Sequence, residues 1–79
     1  MDELFIKITR TNTGLFLAEC ETLKFSFTAS SIDGLRKGIK DKIIENCQDY
    51  KQINYIKMYL SDQDFSMRER RQDFFSSVK

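Results

Sequence analysis

The sequence predicts a small α+β domain: a four-stranded mixed sheet, with elements in the order strand, strand, strand, helix, strand, helix, and one main helix packed on one sheet face. Three observations carry this. Segments at 4–10, 23–29 and 53–60 alternate their side chains with the two-residue period of a strand. Between 32 and 47 the apolar residues recur instead at three- and four-residue steps, the period of a helix. The chain has 79 residues, no proline and no low-complexity run, which is room for one hydrophobic core.

In the first segment, "LFIKITR", Leu4, Ile6 and Ile8 point one way and Phe5, Lys7 and Thr9 the other. "TNTG" makes the turn. In "LFLAECE", Phe16, Ala18 and Cys20 share one face and Leu15, Leu17 and Glu19 the other. "LKFSFTA" places Leu23, Phe25, Phe27 and Ala29 opposite Lys24, Ser26 and Thr28, the pattern of an outer antiparallel strand with one wet face. A tight hairpin around Glu21 and Thr22 is expected to join these two strands.

Ser30 or Ser31 caps the helix, and Asp33 in its first turn suits the positive end of the dipole. Ile32, Leu35, Ile39, Ile43 and Cys47 draw one apolar stripe, with Ile44 beside it. Gly34 and Gly38 lie next to that stripe, and each costs about 0.5–1 kcal/mol relative to alanine. The expected return is close packing against Phe25 and Phe27, since no phosphate-binding glycine spacing is present. "INYIKMYL" sets Ile56, Met58 and Leu60 against Tyr55, Lys57 and Tyr59, a strand reached by a crossover. Ser66 with Glu69 three residues on forms a capping-box pattern. It predicts a short helix in the C-terminal segment 64–78, with Met67, Phe74, Phe75 and Val78 on one side. That segment and a core at 4–60 make residues 1–79 a single domain.

Thirteen basic and twelve acidic residues give a net charge of +1. The balance argues against an acidic mimic of nucleic acid and equally against a strongly basic binder. No apolar run approaches the roughly 20 residues of a membrane span, and "MDELFIKITRT" lacks the features of a signal peptide. The expected location is the cytoplasm, or a host's cytoplasm if the chain is viral, with no membrane partner. Cys20 and Cys47 have no histidine and no CxxC to complete a metal site, and helix and sheet backbones pack about 10 Å apart, too far for a disulfide. Both are expected as free thiols. Asp41, Glu45 and Asp49 are interleaved with Lys37, Lys40 and Lys42 as a solvated face. No metal, cofactor or catalytic residue is expected, and the chain is not read as an enzyme.

The stretch "FLAECETLKFSFTASSIDGLRKGIKDKI" resembles the HicB-like antitoxin domain, in which a strand–hairpin–strand unit leads into a capped helix of the form T-x-E-E-A-x-x-x-x-x-x-x-I. Matching positions are Ala18 and Leu23 in the hairpin, Ser31 as cap, Asp33 at one acidic position, and Ile39 and Ile43 in the stripe. Gly34 and Leu35 depart from the pattern, as does the lack of a proline after the second strand. The resemblance spans about residues 4 to 60. It implies a truncated ribonuclease H-like fold without nuclease chemistry, and a small RNA-cleaving toxin as partner. In keeping with that, the first strand reads "FIKI" where the leading aspartate of a two-metal nuclease would stand. The segment after residue 60 is too short for a separate DNA-binding domain, which argues against DNA autoregulation.

One helix cannot cover both faces of a sheet. Phe5, Leu15, Leu17, Tyr55 and Tyr59 are expected on the second face, with Lys7, Lys24 and Lys57. The terminal helix folding back, a protein partner or second copy, and a single-stranded nucleic acid stacked on the aromatics are the three candidate covers. "RERR" supplies Arg68, Arg70 and Arg71, either a solvated helix face or a dock for an anionic partner. The candidate partner-binding residues are Phe5, Tyr55, Lys57, Tyr59, Arg68, Arg70, Arg71, Phe74 and Phe75. The expected function is a non-catalytic protein that inhibits or regulates a partner protein, antitoxin-like, the partner being a toxin or a defence-system component. A homodimer to which the terminal segment contributes is expected beside it. A mobile-element inhibitor of bacterial defence, of the anti-CRISPR kind, is the alternative, and a single-stranded RNA-binding module is the second.

Overall fold

The computed structural model describes residues 2–78 and builds one mixed sheet from five strands. In chain order these are β1 (Glu3–Arg10), β2 (Phe16–Cys20) and β3 (Phe25–Ala29), then α1 (Ile32–Asn46), a single 3-10 turn at Tyr50–Gln52, β4 (Tyr55–Leu60), β5 (Phe65–Arg70) and α2 (Arg71–Ser77). Across the sheet the order is β3-β2-β1-β4-β5. β4 runs parallel to β1, reached through α1, and the other neighbours are antiparallel.

The expected four-stranded sheet and terminal helix over 64–78 are thereby corrected. Residues 65–70 form a fifth strand, and the helix after it is only seven residues long. Pairing outweighs the capping-box signal here. Leu60 faces Phe65, and the register continues to Tyr55 opposite Arg70, so β4, whose far edge would otherwise be open, supplies backbone partners to the whole segment. The connecting turn places Asp64 at φ 48°. Glu69, expected to cap a helix, instead accepts two hydrogen bonds from Arg36 at 2.9 and 3.1 Å.

The hairpin between β2 and β3 is also wider than expected. β2 ends at Cys20 and β3 begins at Phe25, so Glu21–Lys24 form a four-residue turn with Lys24 at φ 56°. The turn between β1 and β2 needs Gly14, whose φ of 84° suits a residue without Cβ.

Parity places the core as the alternation requires. Leu4, Ile6 and Ile8 of β1 and Ile56 and Met58 of β4 are buried in one cluster with Leu35, Ile39 and Ile43 of α1, which packs mainly against β3 and β2. Ser31 Oγ caps α1 by accepting from the Gly34 N–H at 3.0 Å. The stripe is narrower than its sequence suggests, since Ile32 and Ile44 are exposed. Phe27, and not Phe25, takes the space above Gly38: a Cβ there would lie 2.6 Å from Phe27 Cζ.

Both helices lie on the same side of the sheet. Phe74 of α2 is fully buried in the cluster that holds Leu35, Ile39 and Ile43, and the Arg36 guanidinium sits 4.5 Å above its ring. The opposite face has no layer over it among the described residues.

Candidate functional site

Strand pairing gathers the uncovered face from all five strands. Phe5 lies opposite Lys57, and Lys7 lies between Tyr59 on β4 and Glu19 on β2. Tyr55 lies between Glu3 on β1 and Arg70 on β5, and Lys57 faces Arg68. Four cations, Lys7, Lys57, Arg68 and Arg70, thus share this face with two carboxylates, Glu3 and Glu19.

The aromatic residues form one stacked pair and one cation–π contact. Phe5 is 46% exposed at the middle of the sheet, and its ring stacks on Tyr59 with centroids 6.3 Å apart and planes 24° from parallel. The Tyr59 hydroxyl donates to Asp64 Oδ1 at 3.1 Å, and that hydrogen bond to a carboxylate pushes the phenol above its ordinary range. On the other side, the Arg68 guanidinium lies 3.7 Å above the Tyr55 ring while its Nε donates to Glu3 Oε2 at 2.6 Å. Arg68 is therefore held flat on the sheet by a ring below and a carboxylate beside it. Lys7 and Lys57 have no ion-pair partner among the described residues. Next to Phe5, a shallow depression of about 290 Å³ is lined by Lys7, Glu19, Glu21 and Thr22.

Six of the nine residues singled out from the sequence, Phe5, Tyr55, Lys57, Tyr59, Arg68 and Arg70, meet on this face. The other three lie on the far side. Arg71 opens α2 and donates through Nε to the Ile53 carbonyl at 2.9 Å. Phe74 is in the core. Phe75 stacks on Tyr50 at 5.5 Å, and Lys40 donates to its carbonyl at 3.2 Å. The terminal segment therefore covers the helix side of β4 and β5, and of the three candidate covers for the second face the folded-back terminal helix drops out. Leu15 and Lys24 also leave that face, because both lie in turns. Glu3, Glu19 and Asp64 join the site without any motif to announce them. The signal that finds Glu3 and Glu19 is strand parity, while Asp64 requires the β4–β5 turn to be known.

A larger hollow, about 330 Å³, lies between the start of α1 and the end of α2, lined by Asp33, Gly34, Arg36, Lys37, Ser77 and Val78. Its Arg36 is already committed to Glu69 and to Ser77 Oγ at 2.8 Å. Cys20 is buried, Cys47 is half-buried, and both are free thiols. Asp49 falls beyond the end of α1, so the expected row with Asp41 and Glu45 is interrupted. Among the described residues no group of three or more His, Cys, Asp and Glu converges on a metal-sized site. No helix among them is long and apolar enough to cross a membrane.

Comparison of the chain with protein-family models, with curated proteins and with solved structures finds no match.

Proposed function

We propose that the chain is a non-catalytic binding protein that inhibits or regulates a partner protein, antitoxin-like, and that the uncovered sheet face is its working surface. One observation carries the reading: a contiguous face with Phe5 exposed at its centre and Tyr55, Tyr59 and Arg68 around it, left open by both helices. Aromatic residues and arginine in such a setting are the side chains that dominate protein interfaces, because they bring large contact area at low entropy cost. The toxin as partner is supported by the hairpin and helix residues that resemble the HicB-like antitoxin domain and by the crossover that lays β4 parallel to β1; a defence-system component is the alternative target.

A partner captured by the tagged chain, identified and reassembled from purified components, tests this. Phe5→Ala or Tyr59→Ala should weaken that complex by about 2 kcal/mol, roughly 30-fold, as truncation at the centre of an interface does. Lys37→Ala on α1 should leave it unchanged. Equal affinity in all three variants removes the sheet face from the reading. Neighbouring genes separate a toxin partner from a defence-system target.

The Phe5–Tyr59 stack with Lys7 and Lys57 beside it favours one second reading, a single-stranded RNA platform. Phosphate contacts release counterions, so such binding weakens steeply with salt. A titration of single-stranded RNA at two salt concentrations is expected to show no tight complex. Salt-sensitive binding that Tyr55→Ala or Lys57→Glu abolishes would replace the protein-binding reading.

A further inference from the structure

β5 is an outer strand of the sheet, and its free edge is self-complementary. The Arg71 N–H donates to the Asn54 carbonyl at 2.9 Å, one step past the pair Tyr55–Arg70. By the alternation of an antiparallel ladder, Glu69, Met67 and Phe65 then bond inward to β4, while Ser66, Arg68 and Arg70 turn their N–H and C=O groups outward. The edge carries no proline and no lysine, and two of its three charged side chains are drawn off it, Arg68 onto Tyr55 and Glu3 and Glu69 onto Arg36. On the helix side of the same strand Phe65 is 51% and Met67 39% exposed.

We propose that β5 pairs antiparallel with β5 of a second copy about a two-fold axis through Met67. In this register Met67 meets Met67 of the second copy, with Phe65 diagonal to it, and Ser66 lies opposite Arg68. Asp64 lies opposite Arg70 of the second copy, and symmetry repeats that opposite-charge pair. Neither Asp64 nor Arg70 has an ion-pair partner among the described residues. Sliding the register by two residues one way sets Arg68 against Arg68, a like-charge contact at the axis. Sliding it the other way sets Ser66 against Ser66 and leaves only residues 65–67 of β5 paired. A two-fold axis normal to the sheet keeps the open face on one side, so the product is a continuous ten-stranded sheet with two copies of that face. One short strand on each side is a small interface, and the association is expected to depend on concentration. It does not rest on the identity of any other partner.

Charge reversal tests the register directly. Asp64→Lys alone opposes lysine to arginine twice, and Arg70→Glu alone opposes glutamate to aspartate twice. A lysine at position 64 is backbone-compatible, since Lys24 holds the same positive φ in this chain. Sedimentation equilibrium of the full chain should show a reversible dimer. Each single variant should dissociate at a concentration roughly tenfold higher or more, and an equimolar mixture of the two should regain the parent's affinity, because every charge pair is then attractive. An independent readout survives a folding defect in those variants. Met67→Cys in a Cys47→Ser background should oxidise to a covalent dimer, since directly opposed residues of a non-hydrogen-bonded pair lie within disulfide reach, while Lys37→Cys in the same background should not. A chain that stays monomeric at all workable concentrations overturns the proposal. So does a dimer indifferent to the charge variants that also fails to cross-link at Met67.

Discussion

Gly38 and Phe27 are a single packing unit: the ring lies where the Cβ of any other residue would stand, with Cζ 2.6 Å from that position. Leucine has the better helix propensity by about 1 kcal/mol, but overpacking typically costs about 1–3 kcal/mol, and Phe27 has the sheet beneath it. Gly38→Leu is therefore expected to lower the denaturation midpoint despite strengthening the helix. A higher midpoint would mean that the ring moves aside freely. Cys20 illustrates burial acting on chemistry. Desolvation is the largest influence on it and pushes the thiol above its ordinary range, outweighing the N–H groups of Leu23 and Thr22 that favour the thiolate. A thiol-specific reagent in native buffer should label half-buried Cys47 well before Cys20. A group with a raised folded value contributes its stability fully below its unfolded value and loses it as pH rises from there through the folded value. From about pH 8.5 upward the parent should progressively lose stability relative to Cys20→Ala, as measured by parallel urea titrations.

Arg36 joins three elements. From α1 it donates to both oxygens of Glu69 on β5, caps the ring of Phe74 on α2, and donates to Ser77 Oγ near the end of that helix. Seven residues are too few to hold a helix by themselves, so α2 is held by its contacts. Arg36→Ala removes a charge-assisted pair whose side chains are only 19% and 25% exposed, and should cost about 1.5–3 kcal/mol. Hydrogen exchange across 71–77 should quicken more than exchange in β1. A uniform change over the whole chain would mean that α2 does not loosen on its own. This region is also where the sequence was least legible. β1, β3, β4 and α1 announced themselves because each has a consistent apolar face, and the parity of Phe5, Tyr55, Lys57 and Tyr59 followed from that. "FSMRER" has no such face. Its residues lie at an edge where Phe65 and Met67 stay exposed, so periodicity was weak and the local Ser66–Glu69 pattern pointed to a helix. Arg68 and Arg70 reach the open face only because the segment is a strand. Arg71, one residue on, belongs to the helix side for the same reason. Strand parity puts Glu3 on the open face, but its pairing with Arg68, 65 residues away, is one that no local pattern encodes, and Asp64 enters through Tyr59, 5 residues away, only once the β4–β5 turn is known.

At the scale of the molecule, a 79-residue domain has a net stability of about 4–12 kcal/mol, taking the usual range per residue. Against that margin the C-terminal segment is a structural part. β5 completes the sheet beside β4, and Phe74 is wholly buried in the one core cluster. Removing a buried phenylalanine side chain costs about 3–5 kcal/mol, so Phe74→Ala alone is expected to use up much of the available stability. Phe75→Ala, which removes a half-buried ring from beside Tyr50, Phe74, Lys40 and Arg71, should cost less. A chain ending at Gln63 loses both β5 and Phe74, leaves the outer edge of β4 unpaired and uncovers Ile53 and Ile56, which are otherwise 1% and 0% exposed. It should show no cooperative thermal transition and should aggregate through the bared edge and core. A truncated chain that melts cooperatively near the parent's temperature would mean that β1 to β4 and α1 suffice as a domain. The segment would then be an arm available to a partner, and the surfaces assigned to β5 would have to be reassigned with it.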